Sequence, residues 1–327
     1  MIYFGTNAAA LYFGRLFVGF ASGISTSVVP LYIAEISPLE NRGINGSFVQ
    51  LSIVIGILIS AIVGIPFSTR QLWRELFAIA IIPVLIQMIM IPFVVESPFW
   101  YVMQSRNDLA RASLQQVRGV EDVEQELHDI IQACRGFDLI NETSSLINSM
   151  VEKPMGFRQV LNDRTLWRAL IAAVGLQIIQ QCSGINAAIY YSTTIFSNSY
   201  DPDMAIKLTL LISIINLAST IVSMALIDRY GRKSLLLWAE MTMSVFAFLI
   251  PIFDSLKLNP LYIVLCLLMF VFGFGLGLGS IPWLIVPEII PGRALDVSSS
   301  ICSGTNWMFN FILALVMPIL IHECNIS

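Results

Sequence analysis

The stretch QIIQQCSGINAAIYY, residues 177–191, carries Gln177, Gln180, Gln181, Ser183 and Asn186 with no charge, between flanks that are almost wholly apolar. Amide side chains donate and accept hydrogen bonds while staying neutral. Two kinds of chemistry need that combination: recognition of a neutral, hydroxyl-rich ligand, and hydrogen bonding between helices inside a membrane. A charged site would favour ions and would be costly at mid-membrane depth. At about 100° per residue with Gln177 at zero, Gln180 falls near 300°, Gln181 near 40° and Tyr191 near 320°, which is one stripe. On the same wheel Asn186 falls at about 180°, the far side of a straight helix. It joins the glutamines only if Ser183-Gly184 breaks the helix and re-aims it, which glycine tolerates best. Discontinuous helices beside a mid-membrane site are a recurring transporter device.

The elements that must hold these residues are membrane spans. Of 327 residues, 56% are hydrophobic and only 12% charged, and the mean hydropathy is +0.78. Soluble domains carry roughly twice that share of charge, about a quarter. Apolar runs of the roughly 20 residues needed to cross a bilayer fall near 12–34, 47–66, 76–95, 167–196, 206–227, 235–253, 261–287 and 298–321. All must be helices, because lipid offers no partner to an open backbone. The fold class is therefore an all-α polytopic membrane protein. Most Lys and Arg, including Arg42, Arg229, Arg232, Lys233 and Arg293, fall on the side of the 96–166 loop, which the positive-inside rule assigns to the cytoplasm.

Other function classes find no support. The five cysteines have neither CxxC spacing nor a pairing pattern, so no metal centre or disulfide framework is expected. His128 and His322 lack a surrounding ligand cluster, and no nucleophile triad or phosphate loop is present. Neither an enzyme, a cofactor, a metal nor a nucleic-acid partner is expected, and the bilayer is the solvent.

Along the chain, mixed charges over SRNDLARASLQQVRGVEDVEQELHDIIQACRG read as solvent-exposed amphipathic helices. They divide three spans (1–95) from five (167–327), with a helical loop at 96–166. An internal echo links the halves: PLYIAEISPLENRG at 30–43 and PWLIVPEIIPGR at 282–293 both read Glu-Ile-x-Pro followed by Arg. Repeated halves mark transporter folds. The echo's position implies eight spans of a twelve-span architecture.

Several stretches, GRLFVGFASGISTSVVPLYIAEISPLENRG, VESPFW, QQCSGINAAIYYSTTIF, DRYGRKSLLL, IPWLIVPEI and NW at 306–307, together resemble the sugar-porter branch of the major facilitator superfamily, and most closely the animal facilitative glucose transporters. The resemblance implies helices 4 to 11 of a twelve-helix, two-bundle carrier working by alternating access. It implies sugar contact by Gln50, Gln180, Gln181, Ile185, Asn186, Asn216, Trp283 and Asn306, with Ile185 lining the pocket by contact alone. Trp283 can offer its ring to a sugar CH face and its N–H to a hydroxyl. Gating is expected of Ser183, Gly184, Tyr190 and Tyr191. A cytoplasmic latch of ion pairs is expected from Glu35, Arg42, Asp228, Arg229, Arg232, Glu288 and Arg293; the plainer reading of these charges is boundary anchoring.

Departures from the family pattern carry expectations too. Gly275 stands where the relatives have a glutamate, and Leu278 and Ser280 stand for prolines, so a less kinked helix is expected. Phe99 stands where PESPR has its arginine, which removes one latch contact. The expected function is transmembrane hexose transport by facilitated diffusion, with glucose favoured, in the cell membrane. The alternatives are a truncated, non-transporting or regulatory fragment, or a proton-coupled or polyol carrier.

Overall fold

The computed structural model describes residues 8–38, 41–67, 72–135, 155–197 and 199–323, with the side chains of a few further residues, among them Arg42, Tyr191 and Arg293, outside that description. The remainder of the 96–166 loop, 136–154, is also outside it. Among the described residues the chain is all-α, and eight segments are long and apolar enough to cross a membrane.

The first three spans are α1 (Ala8–Ile36), α2 (Arg42–Phe67) and a third made of α3 (Trp73–Ile79) and α4 (Ile81–Met90), which meet at Ala80. Four short helices follow: α5 (Pro98–Met103), α6 (Asn107–Arg118), α7 (Glu124–Arg135) and α8 (Phe157–Asn162). Ser97 caps α5 by accepting from the Trp100 N–H at 3.3 Å, and Pro98 occupies the first helical position, where its missing N–H costs nothing. α6 and α7 pair their apolar faces around Val102, Leu114 and Leu127. Phe99, the residue in the arginine position, packs against that cluster. Arg118 ties the pair to the first span, donating to the Ile36 carbonyl at 2.8 Å while ion-paired to Glu126.

The later spans are α9 (Trp167–Cys182) with α10 (Ile185–Ser197), α11 (Pro202–Tyr230), α12 (Arg232–Ser255), α13 (Pro260–Leu276) with α14 (Ile281–Ile289), and α15 (Gly292–Glu323). Gly231, at φ +78°, makes the one-residue turn between α11 and α12, a conformation that disfavours any residue with a Cβ. The main apolar core lies among α10 to α13 and includes Phe196, Met243, Phe270 and Phe274. α2 packs along α11 and against α14, and α1 lies against α14 and α15. By contrast, α4 buries none of its residues and exposes Met88 and Ile89. In a bilayer such a surface is satisfied by lipid tails.

Two spans are broken. The 167–196 run divides at Ser183-Gly184, with Gly184 at φ +84°. The 261–287 run divides at 277–280, where Gly277 (φ −140°, ψ −65°) leaves helical geometry. A break is thus present without prolines at 278 and 280. Pro282 has no N–H to offer the Leu278 carbonyl one turn back, and the carbonyls of Leu278 and Gly279 are taken up instead by Gln180.

Candidate functional site

The amides of α9 converge on one residue of α15. Asn306 Nδ2 donates to Gln177 Oε1 and to Gln180 Oε1, both at 2.7 Å, while its Oδ1 accepts from Gln181 Nε2 at 2.9 Å. Gln181 Oε1 in turn accepts from Asn186 Nδ2 at 2.6 Å and from Asn310 Nδ2 at 3.2 Å. The outer sides of the glutamines are pinned to the broken span: Gln177 Nε2 donates to the Pro282 carbonyl at 3.1 Å, and Gln180 Nε2 to the carbonyls of Leu278 at 2.6 Å and Gly279 at 3.2 Å. Gln177, Gln180, Gln181 and Asn306 are all buried. The cluster is neutral and largely self-satisfied, as buried polar groups in an apolar setting must be.

Each break serves this arrangement. Ser183 and Gly184 turn the chain so that Asn186, at the start of α10, reaches back to Gln181; Ser183 Oγ closes the turn on the Gln180 carbonyl at 2.7 Å. Ile185, beside it, is buried in the α10–α13 core. Tyr190 points outward, 61% exposed, and Tyr191 lies on α10 with its side chain outside the described residues.

Gln50 on α2 and Asn216 on α11 are buried around the second break. A Cβ added at Gly279 would meet Gln50 Nε2 at 3.2 Å. The Asn216 carbonyl accepts from Ser219 Oγ and Thr220 Oγ1, both at 2.9 Å, whereas Asn216 Oδ1 has no partner among the described residues. Gly275 explains its own departure from the family pattern: a Cβ there would run into Ser219 Oγ, so α11 and α13 approach too closely for any side chain. Trp283, half-buried on α14, borders two voids of about 10 Å³, one shared with α1 and α15 and one with α1 and α2. Each holds at most about one water.

At the end of the bundle carrying α5–α8, Arg232 binds Glu288 with its guanidinium fork (2.8 Å from Nη2) and Asp228 at 3.2 Å. α2 closes on this triad: a Cβ on Gly43 would lie 2.5 Å from Asp228 Oδ1 and 2.6 Å from an Arg232 nitrogen, and one on Gly46 would collide with Leu284. Of the seven expected latch residues, Asp228, Arg232 and Glu288 come together. Glu35 sits apart, hydrogen-bonded to Ser97 with the carboxylates of Asp296 and Glu96 nearby. Arg229 is exposed at the end of α11. The side chains of Arg42 and Arg293 lie outside the described residues.

Sequence reasoning did not assign Gln177, Asn310, Gly43 or Gly46 to a site. Gln177 and Asn310 had a visible signal, each being three or four residues from an assigned amide on the same helix. Gly43 and Gly46 had none, since a glycine's packing partner is a tertiary fact.

Residues 1–326 match the family described as "Sugar (and other) transporter". The mouse facilitated glucose transporter member 4 is 34% identical over 320 residues, covering 94% of this chain and 60% of that protein. The putative metabolite transport protein YwtG of Bacillus subtilis is 31% identical, covering 98% of this chain and 68% of its own length. Among solved structures, the proton:xylose symporter XylE of the major facilitator superfamily, bound to 6-bromo-6-deoxy-D-glucose, superposes with a TM-score of 0.77 at 24% identity over 92% of this chain and 61% of that one. The chain thus has the major facilitator fold and spans about 60% of the length of the glucose transporters it matches.

Proposed function

This chain belongs to the family of sugar and related transporters, and from that membership we propose that it acts in carrying a hexose, glucose by preference, across the cell membrane by facilitated diffusion. The observation that carries the reading is the neutral cluster of Gln177, Gln180, Gln181, Asn186 and Asn306, set between two broken spans. Sugar hydroxyls donate and accept, as these amides do. A sugar entering the cluster exchanges amide–amide bonds for amide–hydroxyl bonds, so the net gain per bond is small, on the order of 0.5–1.5 kcal/mol. Weak binding and quick release follow, which suits a carrier. Gln50, Asn216 and Trp283 complete the wall from α2, α11 and α14, and Ile185 contributes apolar contact.

Alternating access needs an end that opens. On this reading the 96–166 loop is cytoplasmic, and the Arg232–Glu288–Asp228 triad under Gly43 and Gly46 is the inner gate in its closed form. The chain divides into a partial first bundle (1–95), the loop, and a partial second bundle (167–327), which move against each other. Ser183, Gly184, Tyr190 and Tyr191 gate the site from the opposite side.

The test is uptake of labelled D-glucose by the purified protein in vesicles. Saturable uptake, competed by unlabelled glucose and weakened about 3- to 10-fold in apparent affinity by Gln180→Leu or Asn186→Ala, is expected. Uptake equal to that of empty vesicles would overturn the proposal; unchanged affinity in both variants would return the amides to an interhelical role.

A further inference from the structure

Ser280 is the residue at the second break that the site described above leaves unused. It is 2% exposed, and its Oγ has no hydrogen-bond partner among the described residues. Serine at the start of a helix ordinarily caps it, but here, as the N-cap of α14, Ser280 makes no side-chain cap bond. Buried hydroxyls without a partner are uncommon, and alanine would fill the same space without leaving one. The local structure therefore gives the hydroxyl no task.

Its surroundings point to one. On either side of Ser280 the backbone is engaged by the amide cluster: the Leu278 and Gly279 carbonyls accept from Gln180, and the Pro282 carbonyl accepts from Gln177. Ser280 and Leu284 are one turn apart on α14, and Gly46 and Gln50 are one turn apart on α2. Leu284 seats against Gly46, and Gly279 lies against Gln50 Nε2. The helices run antiparallel across these two contacts, and Ser280 lies between them in the chain, directly after Gly279. The other orphan in the same region is Asn216 Oδ1, an acceptor that calls for a donor. Upstream on this span, Gly275 can carry no side chain because Ser219 fills the place. Side-chain recognition from the break thus falls to Ser280.

We propose that Ser280 is a further sugar-contacting residue that sets specificity, its hydroxyl pairing with one hydroxyl of a neutral pyranose held beside Gln50. This rests on the hexose-carrier reading. It makes recognition from this helix neutral, where the relatives' pattern has a carboxylate, and reads a single position of the ring.

The experiment compares equilibrium affinities of the purified protein for D-glucose and for monodeoxyglucoses lacking in turn the hydroxyl at each ring position, in the natural protein and in Ser280→Ala. In the natural protein the analogue lacking the paired hydroxyl should bind about 3- to 10-fold more weakly than glucose. In Ser280→Ala that one analogue and glucose should bind equally, while the other ratios hold. A uniform fall across all ligands, or ratios that do not change, overturns the assignment and leaves Ser280 a packing residue. If Ser280→Ala does not accumulate, Ser280→Cys, which keeps the volume with a poor donor, is read in the same way. Failure of the natural protein to bind glucose or any analogue overturns the hexose reading itself, and with it this inference.

Discussion

Replacing Asn306 by alanine tests the amide cluster at its hub. Three buried bonds go at once, to Gln177, Gln180 and Gln181. At about 0.6 kcal/mol for a typical interhelical bond in a membrane protein, their loss alone is about 2 kcal/mol. Glutamine oxygens left buried without a donor raise the cost, by up to roughly 1–3 kcal/mol per group where nothing replaces the partner. A loss of about 2–4 kcal/mol is expected. Asn310→Ala provides the internal comparison, because it removes one long bond to an oxygen that already accepts from Asn186, and should cost about 0.6 kcal/mol or less. Asn306→Asp is the sharper test. It puts an oxygen against Gln177 Oε1 and Gln180 Oε1, and those glutamines cannot rotate their amides to compensate without giving up the Pro282, Leu278 and Gly279 carbonyls. It should therefore be at least as damaging as alanine. Unfolding in mixed detergent micelles, followed by tryptophan fluorescence as the denaturing detergent fraction rises, measures all three. If Asn306→Asp is neutral, or Asn306→Ala costs no more than Asn310→Ala, the cluster is not the interlocked unit described.

Two further outcomes follow from the packing. Arg232→Gln removes pairs to Glu288 and Asp228 whose side chains are about a quarter to a third exposed; at about 1 kcal/mol in total, the open-to-closed ratio of the proposed gate should rise roughly fivefold. Maleimide labelling of Leu284→Cys from that face should accelerate accordingly, and an unchanged rate would show that the triad only anchors the boundary. Gly275→Ala should destabilise the α11–α13 contact by about 1–3 kcal/mol through overpacking, and Ser219→Gly in the same chain should recover most of the loss, measured by the same detergent unfolding; strict additivity of the two substitutions would refute the close approach.

What the sequence made legible was whatever lipid enforces locally. Apolar runs of spanning length gave the spans, and the conflict between Asn186 and the glutamine stripe forced a break at Ser183-Gly184. The second break was legible only in part. Its glycines were visible, but the missing prolines argued for a straighter helix, while the bonds from Gln180 that stabilise the opened backbone come from another span. The ion triad was legible in two ways: Asp228 and Arg232 are four residues apart across one tight turn, whereas Glu288 joins from 56 residues away and was expected from the family resemblance alone. The reciprocal pairing of the amides was not legible, because neutral donor-acceptor groups satisfy a neighbouring amide as well as a ligand.

The short helix α14 ties the two regions together. Its first turn is held by Gln177 on the Pro282 carbonyl and its last by Arg232 on Glu288, residues six apart and so about 9 Å along the axis. Leu284, between them, rests on Gly46 of α2. On the proposed carrier reading, a ligand that draws Gln177 and Gln180 away from the break loosens the same short helix whose other end the Arg232 pairs hold. The energies are matched for this: bonds of about 0.6 kcal/mol at one end face exposed ion pairs of about 0–1 kcal/mol at the other. Neither end alone can lock α14. On the same reading, binding a sugar, worth a few such bonds, shifts the balance, and its release shifts it back.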